Sequence, residues 1–257
     1  MTFVLYDTLR IRKKVIFKNL DIAFKDSKTP EEKKYIARSS FYHFLLTILE
    51  FLHARNGEIA DDMKIFNSES IRESVSSNQG AYVIAMHMSN WEAAAAAVSR
   101  QIKPVYVVVK NVGSEGSNRL VTKLRIRNGM NIIPRKSTGD AVRAMRKTIK
   151  DGNIVAVIMD QSRPGEPKLP FFDRPAKTNT SFPAIWSRIK APVFMAYSVR
   201  ISAGKHKLYF KEPIQLQITS DPKEDTLANA ALINKKIEEC IRECPEQYFW
   251  LHDRWKE

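Results

Sequence analysis

AYVIAMHMSNWEAAAAA, residues 81–97, decides how the whole chain reads. The apolar run Val83 to Met86 has the length and composition of a buried strand, and a polar turn leads from it into an alanine-rich segment of high helix propensity. His87 leaves the end of that strand, Ser89 or Asn90 can cap the helix, and Glu92 falls in its first turn. The spacing lets the Glu92 carboxylate fold back onto one imidazole nitrogen and hold the ring in one tautomer. The other nitrogen is then free to take a proton from a hydroxyl. A histidine at a strand end is often only a satisfied structural residue. The strand before it, the helix after it and the lack of a nearby Ser–His or Cys–His alternative favour chemistry here.

Outward from this stretch, short apolar runs alternate with helical segments. Strands are predicted at 82–86, 104–109, 131–133, 153–159, 192–200 and 206–211, and helices at 91–101, 116–129, 138–150, 179–190 and 225–243. Such alternation predicts an α/β fold, a mostly parallel central sheet flanked by helices, with an antiparallel last hairpin around Ala203-Gly204. No linker divides the chain, so residues 1–257 read as one domain, with N-terminal helices in 1–55 and an α/β core in 80–257. Residues 4–24 read as one amphipathic helix, with Leu5, Leu9, Val15, Ile16, Leu20 and Phe24 apolar and Arg10, Arg12, Lys13, Lys14 and Lys18 basic. This pattern suits a membrane surface or an ordinary helix packed on the core. Thr29-Pro30-Glu31-Glu32 opens a further helix to about His53, whose apolar face suits the core or an acyl-chain groove.

Composition narrows the function classes. A net charge of +14 implies an anionic partner, whether nucleic acid, anionic lipid, an acidic carrier protein or a phosphorylated substrate. No zinc spacing, recognition-helix signature or RNA-binding aromatic strand supports nucleic acid. There is no 18-residue apolar run to cross a membrane, and the opening MTFVLYDTLRIRKK places its basic cluster after its apolar residues, unlike a secretory signal. Cys240 and Cys244 read as reduced thiols, with no ligand spacing for a metal nearby.

Two further constellations stand out. Arg119, Lys123 and Arg127 recur at helical spacing on one face, able to clamp a phosphate or simply to meet solvent. Asp160-Gln161 follows a predicted strand and precedes a Pro-rich aromatic loop, 164–178, which reads as an active-site rim or as a surface loop with a buried Phe pair.

As an ordered set, His87-Met-Ser-Asn-Trp-Glu92, Asn118-Arg119, Arg127-Asn-Gly129 before Ile133-Pro134, Asp160-Gln161, Pro170-Phe-Phe172 with Ala176-Lys-Thr178, Ala191-Pro-Val193 through Arg200, and Pro245 to Lys256 resemble the late acyltransferases of lipid A biosynthesis, the lauroyl and myristoyl transferases. That family is similar in fold and in its His-x4-acid pair to the glycerol-phosphate acyltransferases. The resemblance implies acyl transfer from acyl carrier protein to a hydroxyl of a phosphorylated glycolipid of Kdo-lipid A type. Peripheral attachment to an anionic membrane at the cytoplasmic face of the bacterial inner membrane is implied too, with no cofactor and no metal. It implies His87 as general base with Glu92 fixing its tautomer, Asn90 and Trp91 shaping the turn, Arg119 and Arg127 on an acceptor phosphate or the oxyanion, and Asp160 and Gln161 organising the rim. Ser89 stands where such enzymes usually carry glycine, and no counterpart of their hydrophobic anchor helix precedes the first basic segment. Another glycolipid or a lysophospholipid acceptor, or a non-catalytic lipid-binding role, remain alternatives. Phosphatidate-forming relatives normally use Asp in the pair and a Glu-Gly-Thr-Arg loop, which Asp160-Gln-Ser-Arg163 is not.

Overall fold

A computed structural model describes residues 2–54, 57–109, 114–135 and 137–256. After a π-helical segment at Phe3–Thr8 come α1 (Lys13–Phe24), α2 (Pro30–His53), α3 (Glu58–Asp61), β1 (Lys64–Phe66), α4 (Glu69–Ser76) and β2 (Ala81–Ala85). There follow α5 (Trp91–Gln101), β3 (Val105–Val109), α6 (Glu115–Arg127), β4 (Asn131–Pro134), α7 (Thr138–Lys150) and β5 (Ile154–Ile158). The last third holds β6 (Lys168–Phe171), β7 (Arg174–Lys177), α8 (Ser181–Trp186), β8 (Val193–Ser202), β9 (Lys205–Phe210) and α9 (Pro222–Glu243).

The main sheet has strand order β1-β9-β8-β2-β5-β3-β4, and every neighbouring pair is parallel except the β8–β9 hairpin. The α/β reading therefore holds, including the antiparallel turn at Gly204. Central β2 is flanked by β5 and β8 and covered on both faces, which is why its sequence is continuously apolar. Tyr82 and Ile84 face one core, with α1, α2, α7 and α9. Ala81 and Val83 face a second, with α3, α4 and α5.

Several local predictions change. Residues 4–24 do not form one helix: Arg10 and Arg12 lie at φ 52° and 58°, and the axis breaks between Thr8 and Lys13. Two separate docking demands cause the break. Tyr6 packs on Phe41 and Asp7 pairs with Arg38, both on α2, while Ile16, Leu20 and Phe24 drive α1 into the core. The Pro-rich loop contains the β6–β7 hairpin, turned by Phe172 and Asp173 at φ 50° and 56°. Phe171 and Phe172 are fully buried there, under Arg254 and Arg242. α6 stops at Arg127 because Gly129 takes φ +96°, a conformation L side chains resist. α8 is shorter than predicted, and α9 starts earlier, at Pro222, where the Asp221 side chain caps the Lys223 and Glu224 amides.

Candidate active site

Sheet register builds the site. β2 and β5 are adjacent and parallel with Ala85 opposite Ile158, so two more residues along each strand bring His87 and Asp160 together at the carboxyl edge. In α/β sheets ligands bind at this edge. Asp160 Oδ2 accepts the His87 backbone N–H at 2.9 Å, and Oδ1 lies 2.8 Å from His87 Nδ1. Burial would lower the imidazole pKa, but the charge and hydrogen bond of Asp160 outweigh it and raise it. Burial likewise opposes ionisation of Asp160, and His87 outweighs that too, holding the carboxyl below its ordinary range. An ionised Asp160 can only accept, so Nδ1 carries a proton, and in the neutral ring Nε2 keeps its lone pair. Nε2 has no hydrogen-bond partner among the described residues.

Glu92 is not the residue that holds the His87 ring. It forms a bidentate ion pair with Arg125 of α6, at 2.9 Å to Nε and 2.5 Å to Nη2. Local spacing suggested the His87–Glu92 contact. The register of two strands whose chain positions are 73 residues apart supplies Asp160 instead. Glu92 still contributes to the field that raises the His87 pKa, and Arg125 opposes it.

His87, Trp91, Glu92, Arg125 and Gln161 line a cavity of about 350 Å³, within the usual size of small-ligand sites. Much of its lining is apolar, including Val107, Met145, Ala156, Val157 and Phe182, and exposed Arg135 and Arg163 stand there too. Trp91 meets the His87 ring edge-on at 4.9 Å.

The other predicted site residues lie elsewhere. Asn90 is buried away from this cavity. Its Oδ1 caps α5 at Ala93 N, and its Nδ2 donates to Glu50. Arg119 is 79% exposed and pairs with Glu115, while Arg127 donates to the Ala54 carbonyl. Neither lines the His87 cavity, because their helical face turns outward while Arg125 on the opposite side turns in. Asp160 is no rim residue but a buried partner of the histidine.

The turn between His87 and α5 is strained. Ser89, at the position expected to prefer glycine, has φ 53°. A C-terminal strap holds it there: Ser89 N donates to Gln247 O at 2.8 Å, Phe249 N to His87 O at 2.9 Å, and Met88 bridges Tyr248. Tyr248 is buried beside the Asp160 carboxylate, and burial, then that charge, raises its pKa well above the usual phenol value. Asn19 of α1 fixes the strap's far end at the Trp250 and His252 carbonyls, and His252 Nε2 accepts from Ser162 N at 3.2 Å. The sequence singled out residues 245–256 as a motif but assigned them no role.

A family model described as bacterial lipid A biosynthesis acyltransferase matches residues 4–257. The lipid A biosynthesis lauroyltransferase of Escherichia coli is 24% identical over 254 residues, covering 96% of this chain and 80% of the relative. The lipid A biosynthesis palmitoleoyltransferase of Escherichia coli and a lipid A biosynthesis acyltransferase of Shigella flexneri are each 25% identical over 257 residues, with the same coverage. Fold, cavity and these likenesses together define the protein as an acyltransferase. The chain belongs to the bacterial lipid A biosynthesis acyltransferase family.

Proposed function

We propose that the protein transfers an acyl group from the thioester of acyl carrier protein to a hydroxyl of a Kdo-lipid A type glycolipid precursor. The observation that carries the mechanism is the His87–Asp160 pair at 2.8 Å, which leaves Nε2 unpaired in a residue lining the cavity. His87 Nε2 removes the acceptor's hydroxyl proton as that oxygen attacks the thioester carbonyl. Asp160 keeps Nδ1 protonated and stabilises the imidazolium that forms. The tetrahedral intermediate collapses to the ester, its carbon–sulfur bond breaks, and the leaving thiolate takes the proton from imidazolium. Arg125, fixed by Glu92, offers the oxyanion a guanidinium from the cavity wall. The apolar lining of the cavity takes the acyl chain. Incubating the protein with a lauroyl thioester of acyl carrier protein and a Kdo-lipid A precursor, then weighing the lipid, tests this reading. A mass gain of one acyl group supports it, and none overturns it.

Peripheral binding at the cytoplasmic face of the inner membrane belongs to the same proposal. Among the described residues no helix is long and apolar enough to cross a membrane. The apolar stripe of α1 is largely core, so the candidate surface lies on either side of it. Val4, Leu9 and Ile11 are 52%, 60% and 42% exposed beside Arg10, Arg12 and Lys14, and Tyr42, Leu49 and Leu52 are exposed on α2. Sedimentation with vesicles checks it: pelleting rises with anionic lipid and falls with salt, and absence of pelleting under all conditions refutes it.

A further inference from the structure

We propose that Glu50 is a positioning residue of the active site, acting through Asn90 on the turn that carries His87. Glu50 sits on α2 and does not line the His87 cavity. Its carboxylate accepts five hydrogen bonds: Oε2 from Asn90 Nδ2 at 2.8 Å, Arg200 Nη2 at 2.8 Å and His206 Nε2 at 3.1 Å, and Oε1 from Gly204 N at 2.8 Å and Arg200 Nε at 3.2 Å. The group thus joins α2, the cap of α5, β8 and the β8–β9 turn.

The same network reaches Ser89. Thr47 Oγ1, itself bonded by Arg200 Nη2 at 3.0 Å, donates to Ser89 O at 2.7 Å, and Ser89 Oγ lies 3.3 Å from His206 Nδ1. A serine at φ 53° is strained, and such a conformation persists only where its surroundings over-determine it. Here the strap holds the Ser89 amide, and the Glu50 network holds its carbonyl, its hydroxyl and the next side chain. Burial pushes the Glu50 carboxyl up, but His206 and Arg200 hold it well below the usual carboxylate range, so the anchor is charged at neutral pH. His87 is two residues before Ser89 and Glu92 two after Asn90. The angle between β2 and α5, and with it the aim of Nε2 relative to Arg125, depends on this turn.

The inference rests on the proposed acyl transfer, and the test separates the two. Glu50→Gln removes the charge. Asn90→Ser keeps a side-chain oxygen to cap α5 and loses the bond to Glu50. In the lauroyl-transfer assay, well below the melting temperature, each variant loses about 10- to 100-fold in kcat with the donor KM within about twofold, since small misplacement of reacting groups has effects of this size. The double variant is no worse than the poorer single one, because both cut the same connection. Folded single variants with wild-type kcat, or losses that multiply in the double variant, overturn the proposal and leave Glu50 a stabilising residue only. If the wild-type protein transfers no acyl group, the proposed reaction fails, and the His87 imidazole titration by NMR decides in its place. Glu50→Gln and Asn90→Ser must both shift it, and a wild-type titration in both overturns the positioning role.

Discussion

Two carboxylate–histidine clusters flank one turn, and they are built from the same residue types to opposite effect. Asp160 with His87 leaves one imidazole nitrogen unpartnered in a residue that lines a 350 Å³ cavity. Glu50, with Arg200 and His206, has its polar side-chain atoms engaged inside the protein, and Arg200 Nη1 also donates to His43 Nδ1 at 2.9 Å. An unpaired lone pair beside a ligand-sized space can move a proton. A saturated network can only hold its neighbours still. The contrast separates chemistry from positioning better than residue type does, since both clusters contain a buried acid and a histidine.

The sharpest way to break the comparison is at His87. His87→Ala should lower acyl transfer by roughly 10² to 10⁴, the range of a positioned general base, with the circular dichroism spectrum and melting temperature close to wild type. Retention of more than about a tenth of the activity would remove His87 from the chemistry.

Next in size comes the choice between the two acids around that ring. Asp160→Asn should lower kcat by about 10²-fold or more, because an amide no longer fixes Nδ1–H or stabilises imidazolium. Asp160 raises the His87 pKa, so its loss should also move the acidic limb of the pH–rate profile to lower pH. Glu92→Gln should hurt less and move the limb less, since Arg125 already occupies both carboxylate oxygens. The reverse order would return the tautomer role to Glu92.

That choice also shows where sequence reading stops. The strand–helix alternation, the β2–α5 junction and the α5 and α7 boundaries follow from local periodicity and capping residues, and they are as predicted. His-x4-Glu is a local spacing as well, and it drew attention to the wrong acid. Asp160 reaches His87 only because β5 inserts between β2 and β3, a non-local choice that periodicity does not encode. Arg125 was hidden by a count of helical faces that favoured Arg119, Lys123 and Arg127, the face that meets solvent. Glu50 did leave a trace. It is the lone charge in Phe44-Leu-Leu-Thr-Ile-Leu-Glu-Phe-Leu52, and a charge inside an apolar run needs a buried partner.

The saturated cluster should reveal itself in stability against acid. Burial, then the Arg200 charge, lowers the His43 pKa from 6.5 to about 4. Between those values the unfolded chain binds a proton that the folded one refuses, so stability falls as pH drops through this window and is unaffected by His43 above it. Urea unfolding at pH 7 and pH 5 should differ by roughly 1–2 kcal/mol from this residue, discounted for its partial exposure. His43→Gln keeps an acceptor for Arg200 and should remove that part of the difference. A variant with the full wild-type acid sensitivity would place the effect elsewhere.

The smallest effect is expected at Arg119, outside both clusters. Its guanidinium is 79% exposed and pairs with a Glu115 that is equally open, and such a pair contributes about 1 kcal/mol or less to stability. A ligand can meet it only from the solvent side of α6, as a phosphate of the acceptor would in the proposed reaction. Arg119→Ala should then raise the acceptor KM a few-fold with kcat unchanged, and Arg119→Lys should raise it less, because ammonium keeps the charge but loses the bidentate fit. The rise should shrink as salt screens the contact. If Arg119→Ala lowers kcat while KM holds, the residue reaches the reacting atoms during turnover, and α6 must then move to present both of its faces to one substrate.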